Sequence, residues 1–97
     1  MKLPLNVDLS GKVAVVTGAG GVQCGMFSKA LASAGAKVAV LDLNEEAAEK
    51  VASEIRADGG VAKAYKCNVL EKESMEACHQ AVLQDFGPCD ILINGAR

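Results

Sequence analysis

Apolar residues in this chain come in blocks separated by short polar or glycine-rich breaks. Residues 12–17, Lys-Val-Ala-Val-Val-Thr, form a β-branched run. A run without alternation predicts a parallel strand covered on both faces. Residues 18–21 break it with three glycines and an alanine. From 22 to 34, apolar residues recur at 22, 26, 27, 30, 31 and 34, the spacing of a helix. Gly35 closes that helix, as glycine commonly does just past a helix end. Residues 37–42 predict a second buried strand. Asn44 then supplies an N-cap, and Glu45 and Glu46 fall in the first turn, where acids complement the helix dipole. Ala48, Val51, Ala52 and Ile55 form the apolar face of this second helix, and Asp58-Gly59-Gly60 stops it. Residues 61–67 predict a weaker, partly alternating strand. Residues 71–86 predict a third helix with Met75, Cys78, Val82, Leu83 and Phe86 on one side. Gly87-Pro88 ends it, and residues 89–94 predict a fourth strand.

The order β-α-β-α-β-α-β with short connections predicts an α/β fold with a parallel sheet and helices on both faces. The expected architecture is a Rossmann-type doubly wound sheet, here partial, with four strands in the order 3-2-1-4 and three helices. Residues 1–97 read as one small domain or a piece of a larger one, with no internal boundary or repeat. In such a sheet the ligand lies outside the carboxyl ends of strands 1 and 4, where the strand order reverses.

Three features fall on that edge. The first is the turn Thr17-Gly18-Ala19-Gly20-Gly21-Val22 between strand 1 and the first helix. Glycine permits a tight turn and lets a diphosphate approach without a Cβ in the way. The helix start adds free N–H groups and the positive end of a dipole. An ordinary glycine-rich strand–helix turn is the plain alternative. The second feature is Asp42, at the tip of strand 2 and about two dozen residues past the first glycine. An acid there can hydrogen-bond the adenosine ribose diol and repel a 2′-phosphate, which favours NAD over NADP. A solvated strand-end aspartate is the plain alternative. The third feature is the pair of later strand ends, Asn68-Val69 and Asn94-Gly95-Ala96. Asn68 can bond the adenine amine, and Gly95 lets backbone approach the ribose; alone, each is a loop residue suited to a turn. The expected NAD site therefore comprises Gly18, Gly20, Gly21, Val22, Gln23, Asp42, Leu43, Asn68, Val69, Asn94, Gly95 and Ala96.

Composition narrows the function classes. The chain has 97 residues, 51% of them apolar, and a net charge of −2. Scattered charges leave no basic stripe for nucleic acid. No apolar run approaches the roughly 20 residues of a membrane span, and the start lacks the apolar core of a secretory signal. A cytoplasmic protein is expected. The cysteines at 24, 67, 78 and 89 show no metal-ligand spacing, and Cys78 beside His79 is a poor chelate, so no metal is expected. Reduced, mostly buried thiols are expected for all but Cys24, which sits near the first helix start. There a role beneath the turn is favoured over reactivity.

The runs from Leu9 through Gly18, then Leu41-Asp42, then Asn68-Val69, then Asp90 through Ala96 together resemble the short-chain dehydrogenase/reductase family over essentially the whole chain. The resemblance implies NAD(H) as cofactor, hydride transfer with an alcohol or carbonyl substrate, and a homo-oligomer in the longer protein. It matches Asn94-Gly95-Ala96 to the family's Asn-Asn-Ala-Gly element, which steadies the sheet and lines the cofactor site. The Gly-Gly-Val-x-Cys-Gly variant is further similar to a subgroup, the mannonate oxidoreductases (fructuronate reductases).

The departures are as informative. In the family's Thr-Gly-x-x-x-Gly-x-Gly motif, counted from Thr17, the later glycines fall on Val22 and Cys24. The spacing Gly-x-Gly-x-x-Gly fails at Gln23. A side chain at 22 then crowds the diphosphate or alters the path of the turn. The adenine-contacting aspartate is Asn68 here. The family's Tyr-x-x-x-Lys pair, which moves the hydroxyl proton, is absent. The sole tyrosine, Tyr65, is followed four residues on by Val69 and reads as a packed strand residue. No catalytic residue carries over. The resemblance therefore implies that residues 1–97 are the N-terminal part of a single NAD-binding Rossmann domain, the cofactor half of a dehydrogenase whose chemistry lies in further sequence; the alternative is a non-catalytic nucleotide-binding module. Taken alone, it should be inactive, and its fourth strand should be an association-prone edge.

Overall fold

The computed structural model describes residues 8–95; Ala96, one of the expected cofactor residues, lies outside them. The elements follow in the order β1 (Val13–Thr17), α1 (Val22–Ser33), β2 (Lys37–Asp42), α2 (Glu45–Ala57), β3 (Val61–Lys66), α3 (Lys72–Phe86) and β4 (Ile91–Asn94). The four strands form one parallel sheet in the order β3-β2-β1-β4. This is the expected doubly wound arrangement. Its strand order reverses between β1 and β4, so their carboxyl ends open a crevice.

Strand alternation divides the core in two. Ala14, Val16, Val38, Val40 and Ala62 face α1 and α2, where Ala48, Ala52 and Ile55 complete one cluster. Val13, Ala39, Leu41 and Tyr65 face the other way, onto Cys78 and Val82 of α3. β2 lies in the middle, with four consecutive buried residues, as a strand covered on both faces requires.

The second helix forms for every reason visible in its sequence. Asn44 accepts from the Ala47 N–H at 3.2 Å, Glu45 and Glu46 occupy the first turn, and Ala48, Val51, Ala52 and Ile55 are all buried. The first helix forms where expected but turns a different face inward. Gly25 and Ser28 are its buried residues, whereas Met26 and Phe27 are about half exposed. The reason is proximity: a Cβ on Gly25 would lie 3.3 Å from the Ala19 carbonyl oxygen and 3.4 Å from Val51 Cγ2. The helix is drawn so close to the turn and to α2 that only small residues fit between. Leu83, expected inside, is partly exposed on α3. Two further expectations are corrected at β4. The strand starts at Ile91 because Asp90 closes the ladder, its carboxylate and N–H bonding the N–H and carbonyl of Val13 at 2.9 and 2.8 Å. Cys89 precedes it in the connecting loop and is exposed rather than buried.

Candidate cofactor site

The β1–α1 turn is built from the strand end outward. Thr17 is buried, and its hydroxyl donates to Asn94 Oδ1 at 2.8 Å, tying the ends of β1 and β4 together. Gly18 then adopts φ +67°, the left-handed region that glycine enters without a Cβ penalty. Its carbonyl accepts from the Gly21 N–H at 3.1 Å, which closes the turn. Gly21 is the N-cap of α1. Among the described residues no side chain caps this helix, and no acid lies in its first turn. α2 has both. The α1 start thus keeps N–H groups and a positive dipole end for an anion from outside the fold.

Asp42 stands opposite, at the end of β2. Its Oδ2 accepts from the Gly20 N–H and its Oδ1 from the Asn44 N–H, each at 2.8 Å. Each oxygen retains further acceptor capacity, so the carboxylate is fixed in direction yet able to take a diol. Gly20 therefore serves the site indirectly. It packs against Ala47 and Asp42 so closely that a Cβ would come within 2.7 and 2.8 Å of them, and it holds Asp42 rather than lining the space in front of it.

Between these groups lies a cavity of about 600 Å³. Gly18, Gly21, Val22, Gln23 and Cys24 line it from the turn and α1, Asp42 and Leu43 from β2, residues 67–70 from the end of β3, and Gly95 from the end of β4. The structure thus brings together nine of the expected residues: Gly18, Gly21, Val22, Gln23, Asp42, Leu43, Asn68, Val69 and Gly95. Asn94 lies behind them, bonded to Thr17. Val22 opens α1 with its side chain largely in solvent at the cavity wall, so the helix begins where glycine would otherwise stand.

Asn68 is held at the start of α3. Its Oδ1 accepts from the Leu70 N–H at 3.0 Å, its Nδ2 donates to Glu71 Oε1 at 2.7 Å, and its own N–H donates to Ser74 Oγ at 2.9 Å. An aspartate at 68 would set a second carboxylate against Glu71, a physical reason for asparagine there. One lone pair and one N–H of the amide remain for a ligand. Three lining residues were outside the expected set. Cys67 is signalled by its place at the strand end, Cys24 by its place in the shifted motif, and Leu70 by nothing in the sequence.

Tyr65 lies apart from the cavity. Its hydroxyl donates to Asp85 Oδ2 at 2.7 Å, and Lys63 bonds the same oxygen at 2.9 Å. Burial, reinforced by that hydrogen bond to Asp85, pushes the phenol well above its ordinary range. This is a clamp between β3 and α3, as a packed strand residue would provide. Among the described residues no three His, Cys, Asp or Glu side chains cluster to hold a metal, and no helix is long and apolar enough to cross a membrane.

A parallel sheet with a glycine turn at its switch point and an acid at the neighbouring strand tip defines a nucleotide-binding α/β protein of the Rossmann type. The short chain dehydrogenase pattern matches residues 12–97. The chain belongs to that family. An uncharacterized oxidoreductase of Haemophilus influenzae is 53% identical over 96 residues, which are 99% of this chain and 34% of that protein. A crystal structure with bound NAD, provisionally named a D-mannonate oxidoreductase of Haemophilus influenzae, superposes with a TM-score of 0.92 at 55% identity, covering 94% of this chain and 32% of that one. A metagenomic short-chain oxidoreductase in complex with NADP superposes with a TM-score of 0.81 at 36% identity, over 86% of this chain and 38% of that one. The chain spans about a third of the length of the curated relatives it matches.

Proposed function

We propose that this chain is the NAD(H)-binding part of an oxidoreductase that transfers hydride between nicotinamide and an alcohol or carbonyl substrate. The observation that carries the proposal is the pairing, across one cavity, of an uncapped helix start with an Asp42 carboxylate oriented by two N–H groups. The residues fit the cofactor. Gly21, Val22 and Gln23 would hold the diphosphate, Asp42 and Leu43 the adenosine ribose, Asn68 and Val69 the adenine, and Gly95 the second ribose, with Asn94 fastened behind it and Ala96 following in sequence. When bound, the nicotinamide supplies the hydride acceptor or donor. NAD rather than NADP follows from Asp42, whose charge opposes a 2′-phosphate; the NAD-bound Haemophilus structure supports it. A sugar acid of the mannonate/fructuronate kind is the substrate class, supported by the Gly-Gly-Val-x-Cys-Gly variant and by that neighbour's name. The same reading carries a cytoplasmic location, in keeping with four unpaired thiols, and a homo-oligomeric longer protein.

Calorimetric titration tests the proposal. The chain should bind NAD more tightly than NADP. Asp42→Ala should weaken NAD about tenfold, roughly 1.4 kcal/mol, and erase the preference. A folded chain that ignores NAD, or an unchanged affinity in D42A, would overturn the assignment. With no Tyr-x-x-x-Lys pair of its own, the chain should reduce no NAD with mannonate; a longer protein containing it should.

A further inference from the structure

The end of β4 passes beneath the first turn of α1. Gly95 donates its N–H to the Thr17 carbonyl at 3.2 Å, extending the ladder between β1 and β4. The Cys24 side chain comes down onto the same glycine from α1. A Cβ built on Gly95 would stand 2.0 Å from Cys24 Sγ, 3.2 Å from the Thr17 oxygen and 3.5 Å from Cys24 Cβ. The first distance is far inside carbon–sulfur contact, where repulsion is steep. The second involves sheet backbone, which would have to give by a few tenths of an ångström. Cys24 is itself confined. It packs against the core between the sheet and α1 and α2, and a helical backbone disfavours one of the three χ1 wells. Both residues face the cofactor cavity.

We propose that Cys24 and Gly95 are a matched positioning pair: the Cys24 sulfur fills the volume a side chain at 95 would need, and so sets the gap between the α1 N-terminus and the end of β4. The consequence for ligand rests on the reading of that cavity as a dinucleotide site. The two departures from the family motifs then become one. Position 24 carries a side chain where the motif has glycine, and position 95 carries glycine where the motif has asparagine. Bulk has been exchanged across a single contact. Neither residue touches a reacting atom; both act through spacing. Gly95→Ala alone must either part α1 from β4 or swing the sulfur into the cavity. With Cys24→Ala as well, the sulfur clash is gone: position 24 is then met only Cβ to Cβ at 3.5 Å, an ordinary contact, and the 3.2 Å approach to the Thr17 oxygen is what remains.

The test is a double-mutant cycle on this chain: wild type, C24A, G95A and C24A/G95A. Thermal melts read the packing, and titrations with NAD and with adenosine, well below the lowest midpoint, read the cavity. G95A should lower Tm by roughly 5 °C or more. It should weaken NAD at least about tenfold and leave adenosine, which reaches only the Asp42–Asn68 end, within about twofold. The double variant should recover most of the lost Tm and NAD affinity, falling short of C24A only by the cost of the Thr17 contact, so that the two changes are strongly non-additive. If G95A does not fold, a folded double variant supports the pair and an unfolded one overturns it. A wild-type-like G95A, a double variant no better than G95A, or a parallel loss of adenosine binding would each overturn the proposal. Rescue of Tm in a chain that binds NAD in none of its forms would keep the pair and reject the cofactor reading instead.

Discussion

Gly20 and Gly21 are neighbours with opposite duties, and the sequence marks both only as glycine. Gly20 is wedged against Ala47 and Asp42, so Gly20→Ala must displace one of them. Such overpacking costs about 1–3 kcal/mol, and each kcal/mol is worth roughly 4–8 °C in a domain of this size. Gly21 has φ −77° and ψ 163°, which any residue adopts, and a Cβ there meets only the Gly18 oxygen at 3.4 Å. Gly21→Asp should therefore fold, and as an N-cap it should hold or raise stability by about a few tenths of a kcal/mol. It also places a carboxylate where the diphosphate would sit, so NAD affinity should fall at least about tenfold. A melt and a titration on the two variants separate the roles. G21D binding NAD like wild type would remove the α1 N-terminus from the site. Asp42 was legible because strand, turn and spacing agree on it. The partners that orient it were not, because a backbone N–H leaves no mark in composition.

Among the elements, α2 was fully legible and α1 only in extent. In α2 the cap, the dipole acids and the apolar period agree. In α1 the apolar period points at Met26 and Phe27, but the close approach to Ala19 and Val51 selects Gly25 and Ser28 for the interior. Periodicity ranks residues by polarity and is blind to distance. The β3–α3 pair shows a further property that periodicity cannot reveal. Tyr65 and Cys78 are both held protonated on its inner side. Burial, aided by contact with Cys67, pushes the Cys78 thiol from 9.0 up to about 12, and burial likewise raises Tyr65. Groups raised on folding contribute stability below their unfolded pKa and lose it as pH climbs through the folded one. Asp85 works at the other limit. The Lys63 ammonium, then the Tyr65 hydroxyl, lower its pKa from 3.8, so its contribution is present above that value and lost as pH falls below it. Denaturant midpoints should thus be level near neutrality and fall as pH rises from 9 toward 12. Tyr65→Phe removes one of the two alkaline titrations and should make that fall shallower. A flat profile up to pH 11 would show that neither group is held as described.

At the scale of the whole molecule, the order of strands and helices narrowed the topology to a few parallel sheets, since crossovers share one hand, and the Rossmann order among them is the one observed. It also placed the cavity at the strand-order reversal. What order alone understated is the imbalance between the two faces. α1 and α2 cover one face, whereas α3 alone covers the other. There Val15, Leu41, Cys78, Val82 and Leu92 line an apolar hollow of about 280 Å³. Leu92 is 64% exposed at its margin, and the outer edge of β4 pairs with no strand among the described residues. An apolar strand edge beside an uncovered face offers both backbone partners and hydrophobic area to another chain. A chain this small buries little more than ~60% of its unfolded surface, so the area left open is a large share of its stabilisation. The isolated chain should therefore associate as concentration rises in sedimentation velocity, and in dilute solution it should melt below about 50 °C, at the low end of the mesophilic range. Leu92→Lys puts a charge on that margin without entering either core cluster. It should shift the chain toward monomer and leave the circular dichroism spectrum unchanged. A wild-type monomer at all concentrations with a cooperative melt above about 50 °C would mean that one helix suffices to seal the second face.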